Sequence, residues 1–339
     1  MDTRWKFLKG DMRAAFLIPA ITILTGLLAI ESQAFPLNSK KAPQSEADLL
    51  LIQEALFKAI PNAKAATVCI DIGDGTGSGV IVTADGLVMT AAHVSTGVGK
   101  MVTVIMPDGT KLEGETLGLM AEYDAALLRI TGEKPEGGFP VVEINRSDDT
   151  KLGDWVFSLG HSGGFDKERG AVARLGRLVR VANTTFQTDG TLIGGDSGGP
   201  LFDMEGRLIG IHSRVGPQLP VNMHVPVKVF LGEWDRMLAS EFIGEGPFAQ
   251  KPEKGKGFLG VATTDVDGGL EVTKVGKKSP AEDAGLKEGD VLKTLNGEPL
   301  ENRDKLKSIL AELAAGDKLK LEIIRDGKDE TINMRLGAR

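Results

Sequence analysis

Gly194-Gly195-Asp196-Ser197-Gly198-Gly199-Pro200 is the stretch on which the reading of this 339-residue chain turns. A serine hydroxyl is a weak nucleophile until a base takes its proton, and the tetrahedral oxyanion it forms needs hydrogen-bond donors. Glycines on both sides let the backbone bend so that amide N–H groups converge on one small volume. Ser197 is therefore the candidate nucleophile, and the N–H groups of Gly195 and Ser197 are the candidate oxyanion donors. The same letters fit the Gly-x-Ser-x-Gly elbow of α/β-hydrolases. That elbow opens a helix and places its acid and histidine downstream, whereas Gly198-Gly199-Pro200 is a poor helix start and the best histidine lies upstream.

Only four histidines are available: His93, His161, His212 and His224. His93 follows Thr90-Ala91-Ala92, small residues after the apolar run Leu87–Met89 that let an imidazole lie against a barrel wall. A base of this kind needs a carboxylate to fix its tautomer and stabilise the imidazolium. Asp124, at the head of the apolar stretch Ala125–Leu128, suits that role; the nearby Glu122 reads as solvated.

Around these residues, from Ala63 to Val229, short β-rich runs alternate with turn dipeptides. Asp85-Gly86, Asp108-Gly109 and Glu205-Gly206 separate runs such as Gly79–Val82, Leu87–Thr90, Met101–Met106 and Leu208–His212. With 44 glycines in the chain, this predicts an all-β barrel or sandwich. Upstream, Leu49, Leu50, Ile52, Leu56, Phe57 and Ile60 recur at helical spacing, predicting an amphipathic helix from Glu46 that Pro61 stops. Residues 1–34 carry Arg4, Lys6, Lys9 and Arg13, then an apolar run from Ala14 to Ile30 and small residues before Ala34. They read as a signal peptide cut after Ala34 or as a membrane anchor, so the rest of the chain is expected outside the cytoplasm, in the periplasm or otherwise exported. Downstream, Gly244–Gly257 is rich in Gly, Pro and Lys and reads as a linker. The last unit has strands at Phe258–Ala262, Leu270–Val275 and Val291–Leu295, a helix from Arg303 to Ala315 capped by Asn302, and a hairpin turning at Asp326-Gly327. It is a mixed α+β module large enough to fold alone.

Composition excludes several classes. Lys plus Arg number 40 against 47 Asp plus Glu, a net charge of −7 with no long basic run, which argues against nucleic-acid binding. The single cysteine, Cys69, permits no internal disulfide and reads as buried and structural. Gly73, Gly75, Gly77 and Gly79 precede strands rather than a helix, with no Gly-Lys-Ser/Thr, so they are not a phosphate loop. No paired-ligand spacing implies a metal or other cofactor.

At the serine, histidine and aspartate stretches the chain resembles the HtrA/Deg family of trypsin-like serine proteases. His93 follows Thr-Ala-Ala, Asp124 precedes an apolar strand, and Ser197 lies in a variant of Gly-Asn-Ser-Gly-Gly. Thirty-one residues separate His93 from Asp124 and 73 separate Asp124 from Ser197, near the family's usual spacing. Gly77-Ser78-Gly79-Val80-Ile81, Gln187-Thr188-Asp189 and Val225-Pro226 add matches in order. The resemblance implies a mainly β fold, a trypsin-like double β-barrel (residues 62–243) after an N-terminal helical segment (35–61), then a linker (244–256) and a PDZ domain (257–337). It implies that His93, Asp124 and Ser197 are base, orienter and nucleophile of a serine endopeptidase acting on unfolded or damaged proteins. A non-cutting, peptide-binding holdase is the alternative. In the PDZ unit, Gly257-Phe258-Leu259-Gly260-Val261 matches the loop whose amides take a peptide's terminal carboxylate. Phe258, Leu259 and Gly260 are thus candidate contacts for a peptide added as a strand. Family members are typically trimers held by N-terminal segments, which makes residues 35–60 candidates for a homotrimer contact.

The departures are specific. Asp196 replaces the family's asparagine; in trypsin-like relatives with aspartate there, it pairs with an N-terminus freed by cleavage, and no Ile-Val-Gly-Gly-type segment occurs here. Gly160-His161-Ser162-Gly163-Gly164 stands where Gly-Asn-Pro-x-Gly is common. His161 reads as structural rather than as a second base, while His212 and His224 are placed either at the substrate cleft or in the core. Thr191 stands where a carboxylate would select Arg or Lys, so Leu192, Ile193 and Met223 predict a small or medium apolar preference.

Overall fold

Residues 35–216, 221–277 and 279–338 are described by the structure, a computed structural model. The leader, residues 1–34, lies outside the described residues, so the signal-peptide or anchor reading is not addressed by the fold.

Helix α1 (Glu46–Ala66) is capped by the Ser45 hydroxyl, which accepts the Asp48 N–H, and by acidic Glu46 and Asp48 in its first turn. The expected stop at Pro61 does not occur: the helix continues to Ala66. Proline removes one backbone hydrogen bond, but Ala59, Ala63 and Ala66 around it are small and buried against the barrel, and the Thr67 hydroxyl closes the last turn on the Ala63 carbonyl. Ile52 joins the same core, whereas Leu49, Leu50, Leu51 and Phe57 stand exposed on the other side.

The first barrel consists of β1 (Thr67–Asp71), β2 (Thr76–Ile81), β3 (Leu87–Thr90), β4 (Met101–Ile105), β5 (Lys111–Met120) and β6 (Ala125–Ile130), with the one-turn helix α2 (Ala92–Ser95) between β3 and β4. The order β5-β4-β1-β2-β3-β6 closes through β5–β6. The second barrel is β7 (Trp155–Gly160), β8 (Val172–Val181), β9 (Phe186–Thr188), β10 (Pro200–Asp203), β11 (Leu208–Val215) and β12 (Asn222–Pro226), closed in the order β10-β11-β12-β9-β8-β7. Helices α3 (Val227–Gly232) and α4 (Trp234–Leu238) and strand β13 (Phe242–Ile243) return the chain to β5. One core runs through both barrels, from Val68, Ile70, Val80 and Leu127 to Phe157, Leu159, Phe202 and Ile211. Cys69 is buried there, and burial pushes its thiol up to about 11.

The seam between the barrels is hydrogen-bonded through one residue of β2. The Ser78 N–H donates to the Ser197 carbonyl (2.7 Å), its hydroxyl donates to the Gly195 carbonyl (2.8 Å) and accepts from the His161 N–H (2.9 Å). Its carbonyl in turn accepts from the Thr90 hydroxyl at 2.8 Å. A Cβ on Gly77 would sit 2.7 Å from Val94 and 3.1 Å from the Ser197 carbonyl, so only glycine allows this approach.

The segment 244–256 is docked rather than loose: Phe248 and Ala249 pack on the first barrel, Arg214 lies over the Phe248 ring, and Lys254 bridges to Ala314. The C-terminal module comprises β14 (Gly257–Phe258), β15 (Val261–Val266), β16 (Gly269–Val275), α5 (Pro280–Asp283), β17 (Val291–Leu295), β18 (Glu298–Pro299), α6 (Arg303–Ala311), β19 (Lys318–Arg325), β20 (Lys328–Arg335) and β21 (Gly337–Ala338). Two expectations change here. The single strand Phe258–Ala262 is split, because Gly260 at φ +91° turns the chain and drives Leu259 into the core. The helix expected to reach Ala315 ends at Ala311, because Leu313 accepts from the Gly255 N–H and Ala314 is bonded by the Asp317 carboxylate. Asn302 does cap α6, and Asp326-Gly327 makes the hairpin turn with both residues at positive φ.

His212 and His224 face each other across β11 and β12, both buried, with Nδ1 atoms 2.9 Å apart and His224 Nε2 2.9 Å from the Thr188 hydroxyl. They are core residues. Burial first, then the Arg174 charge, pushes His212 down to about 3; burial, then the His212 charge, holds His224 well below 6.5. The unfolded chain therefore binds more protons below pH 6.5, and stability falls as pH drops through that window. The loss reaches about 1.4 kcal/mol per histidine per pH unit. The Tm of a His224→Gln variant is expected to fall less between pH 6.5 and 4.5 than that of the native chain; equal slopes would contradict the buried neutral pair.

Candidate active site

His93 lies in α2, one turn beyond β3, on a backbone whose flanking Ala91 and Ala92 are fully buried. Asp124 occupies the turn between β5 and β6 in the left-handed conformation (φ +63°), with its N–H on the Met120 carbonyl and its side chain inaccessible to solvent. This twist turns the carboxylate inward. Oδ1 accepts from the His93 backbone N–H (3.1 Å) and from Nδ1 (2.9 Å), and Oδ2 lies 3.0 Å from Nδ1. A carboxylate at Nδ1 keeps the proton on that nitrogen and leaves Nε2 as a lone pair able to accept one. The ring is 38% exposed, open to the cleft.

The second barrel adds Ser213, at the bulge of β11 between His212 and Arg214, which the sequence reading missed. Its buried hydroxyl donates to Asp124 Oδ2, and its carbonyl is the acceptor for the Ser197 hydroxyl at 3.4 Å. Nothing in the sequence singles out this serine in an apolar strand. Ser197 thus stands in the cleft next to the His93–Asp124 pair, but its hydroxyl is directed to Ser213 and makes no hydrogen bond to the imidazole. Catalytic hydrogen bonds of this type are often long before substrate binds.

Around the nucleophile, Gly195 has φ +90° and a Cβ there would meet the His161 carbonyl at 2.4 Å. The amides of Gly195 and Ser197 have no acceptor among the described residues, which leaves them available as donors. Asp196, fully buried, points away from the cleft. Its Oδ1 accepts the Ser162 hydroxyl (2.6 Å), and Oδ2 accepts the Ile193 N–H (2.8 Å) and lies 3.1 Å from Arg174 Nη2. Arg174 also donates to the Ser162 hydroxyl at 2.7 Å. The loop 160–164 thus lies beneath 193–196, with the Gly163 N–H on the Gly194 carbonyl. His161 is fully buried with its ring against Phe165, and burial lowers its basicity, so it is structural.

Of the residues chosen for specificity, Leu192 is buried with its N–H on Asn222 Oδ1, Met223 is half-buried on β12, and Ile193 and Thr191 are exposed. Asp189 is tied to the Arg177 backbone N–H at 2.7 Å.

The C-terminal module holds a groove of about 500 Å³ between Gly255–Ala262 and the α6 residues Leu306, Lys307 and Leu310. The outer edge of β15 is unpaired. The N–H groups of Leu259 and Gly260 have no acceptor among the described residues, while Gly276 and Ala281 bond the Gly260 and Leu259 carbonyls. Lys274, Lys277 and Lys307 are the charged lining residues, and none is acidic.

Two family models match these units: a trypsin-like peptidase domain over residues 77–211 and a PDZ domain over residues 257–336. The chain is a trypsin-like serine peptidase fold followed by one PDZ domain. Among curated relatives, a probable periplasmic serine endoprotease DegP-like of Pseudomonas fluorescens (strain Pf-5) is 30% identical over 327 residues, covering 89% of this chain and 64% of the relative. A protein of the same description from Pseudomonas putida (strain GB-1) is 31% identical over 284 residues, covering 77% and 56%. The chain thus spans somewhat under two-thirds of the length of these relatives. A crystal structure of the serine endoprotease from Yersinia pestis superposes with a TM-score of 0.48 and 22% identity, covering 88% of this chain and 99% of that one. Over these two units the chain is similar to DegP-like serine endoproteases, in line with the resemblance carried by its serine, histidine and aspartate stretches.

Removing the Ser213 hydroxyl takes a charge-assisted hydrogen bond, about 1.5–3 kcal/mol, from Asp124. Ser213→Ala, which keeps the backbone carbonyl, is expected to slow fluorophosphonate labelling of Ser197 by roughly tenfold or more. A native labelling rate would show that Ser213 does not support the Asp124–His93 pair.

Proposed function

We propose that the chain is a serine endopeptidase that cuts unfolded or damaged proteins outside the cytoplasm through an acyl-enzyme on Ser197. The observation that carries this reading is the buried Asp124 carboxylate seated on His93 Nδ1, with Ser197 joined to the same carboxylate through Ser213. In the reaction, Ser197 Oγ attacks the scissile carbonyl carbon while His93 Nε2 takes its proton. The oxyanion is held by the Gly195 and Ser197 N–H groups, and the imidazolium by Asp124. His93 then protonates the leaving amine, and a water deprotonated by His93 hydrolyses the acyl-enzyme and restores Ser197. An extended, unfolded segment suits both the cleft and the groove at β15, where the free Leu259 and Gly260 amides and the lining lysines favour a peptide's terminal carboxylate. An exported, periplasmic location agrees with the printed description of the relatives and with the basic-then-apolar leader.

The Ser197 hydroxyl turned to Ser213 favours a second reading, a holdase that binds peptides without cutting. A fluorophosphonate probe separates the two. The enzyme is expected to label at Ser197, with His93→Ala lowering kcat by roughly 10⁴-fold while terminal-peptide binding at the groove persists. Capture of unfolded casein with no labelling would favour the holdase, and near-native turnover in His93→Ala would remove His93 as the base.

The homotrimer belongs to the same proposal, and α1 supplies a surface for it. Leu49, Leu50, Leu51 and Phe57 lie exposed on a helix whose Ile52, Ala59, Ala63 and Ala66 pack in the barrel core. Because Phe35, Leu37 and Ile52 are part of that core, truncation before Asn62 would damage the fold, so surface variants are the sharper test. Leu50→Glu with Phe57→Glu is expected to convert a trimer mass to a monomer mass in light scattering. An unchanged multimer would place the contact elsewhere.

A further inference from the structure

The oxyanion loop of this chain is tied to a buried ion pair whose members the sequence reading never connected. Asp196, immediately before the nucleophile, lies inaccessible beneath the loop, and its carboxylate closes the 193–196 turn by accepting the Ile193 N–H (2.8 Å). The Asp196 N–H returns to the Ile193 carbonyl (3.1 Å), so the carboxylate and the turn are one unit. A buried carboxylate needs a counter-charge. Among the described residues the positive charge beside it is Arg174, the third residue of β8, with Nη2 at 3.1 Å from Oδ2. Ser162 completes the ring, accepting from Arg174 Nη2 (2.7 Å) and donating to Asp196 Oδ1 (2.6 Å). Room for the carboxylate exists because residue 160 is glycine; a Cβ there would lie 2.5 Å from Oδ1. The arrangement is a poor choice for stability alone, since Arg174 Nη1 is buried with no hydrogen-bond partner.

We propose that Arg174 is a positioning residue for the peptidase: its guanidinium, braced by Ser162, holds Asp196 down from within the chain. It thereby keeps the Ile193–Ser197 loop in the form that presents the nucleophile and the Gly195 and Ser197 amides. The charge that other aspartate-bearing trypsin-like enzymes gain by cutting their own N-terminus is here part of β8, so the loop is set by folding alone. A guanidinium keeps its charge across the working pH range of an enzyme. This inference rests on the reading of Ser197 as the nucleophile.

The test uses the full chain and three variants, Arg174→Met, Arg174→Lys and Asp196→Asn, with the double variant Arg174→Met/Asp196→Asn. For each, kcat and KM on fluorogenic unfolded casein, the rate of fluorophosphonate labelling and the thermal melt are measured. Arg174→Met is expected to lower kcat and labelling by roughly 100-fold or more, the scale of losing one oxyanion donor, with KM changed less than about threefold. Arg174→Lys, which keeps the charge, is expected to recover at least tenfold of that loss. Asp196→Asn strands the guanidinium and is expected to lose about tenfold in kcat, recovered when Arg174→Met is added. If Arg174→Met does not fold, the Asp196→Asn loss and its recovery in the double variant decide alone. Native labelling together with an unchanged rate in a folded Arg174→Met, or native kcat in Asp196→Asn, overturns the proposal and leaves the peptidase reading standing. A native chain that takes no label sinks that reading and this inference with it.

Discussion

The cleft between the barrels depends on one short set of hydrogen bonds made by Ser78. Its N–H and hydroxyl hold the carbonyls of Ser197 and Gly195, and its oxygen accepts the His161 N–H. His93 and Asp124 come from one barrel and Ser197 from the other, so their relation is only as firm as the seam. A buried serine with donor and acceptor both engaged sets both the spacing and the direction of that contact, which apolar packing across the shared core cannot do. Gly77 beside it is the consequence, since a side chain there would crowd Val94 and the Ser197 carbonyl, while Gly79 is needed for close packing on Ile70 and Val88 inside the first barrel.

Around this seam the chain divides its polar work between barrels. The first holds the His93 imidazole in a fixed orientation, because Asp124 is buried and its backbone is turned inward at positive φ. The second supplies the loop that must receive charge, and it holds that loop from beneath with Ser162, Arg174 and Asp196. Ser213 links the two halves, its hydroxyl donating to Asp124 and its backbone carbonyl accepting from the Ser197 hydroxyl. The PDZ module is set against the first barrel through Arg335 and Glu115, at 2.8 Å, on a face separate from its peptide groove. The groove thus stays open while the module is docked.

Much of the site was legible because the chemistry needs particular residue types in a constrained order. Glycines flanking Ser197, alanines before His93 and an apolar strand after Asp124 are local requirements, and local requirements leave marks in sequence. Ser213, Ser162 and Arg174 left none. Each is an ordinary polar residue in or beside a strand, and each gains its role from a neighbour more than ten positions away. His212 and His224 show the same limit in reverse. They were expected beside the strands of the cleft, but whether they faced cleft or core depended on a pairing register that alternates every residue. Pro61 and the end of α6 were misread because a proline's local cost and a helix's apolar stripe were weighed without the packing partners that decided each case.

Sequence alone determined the class of fold and the order of the peptidase-like and PDZ modules, and it singled out Ser197, His93 and Asp124 as candidates, because turn glycines, strand periodicity and the local needs of a serine nucleophile are written within a few residues of one another. Tertiary structure alone decided what balances Asp196, what supports Asp124 and where the spare histidines lie. Those outcomes depend on which distant side chains share a buried, low-dielectric volume, where an unpaired charge or polar group is costly and the partner that removes that cost can come from anywhere in the chain.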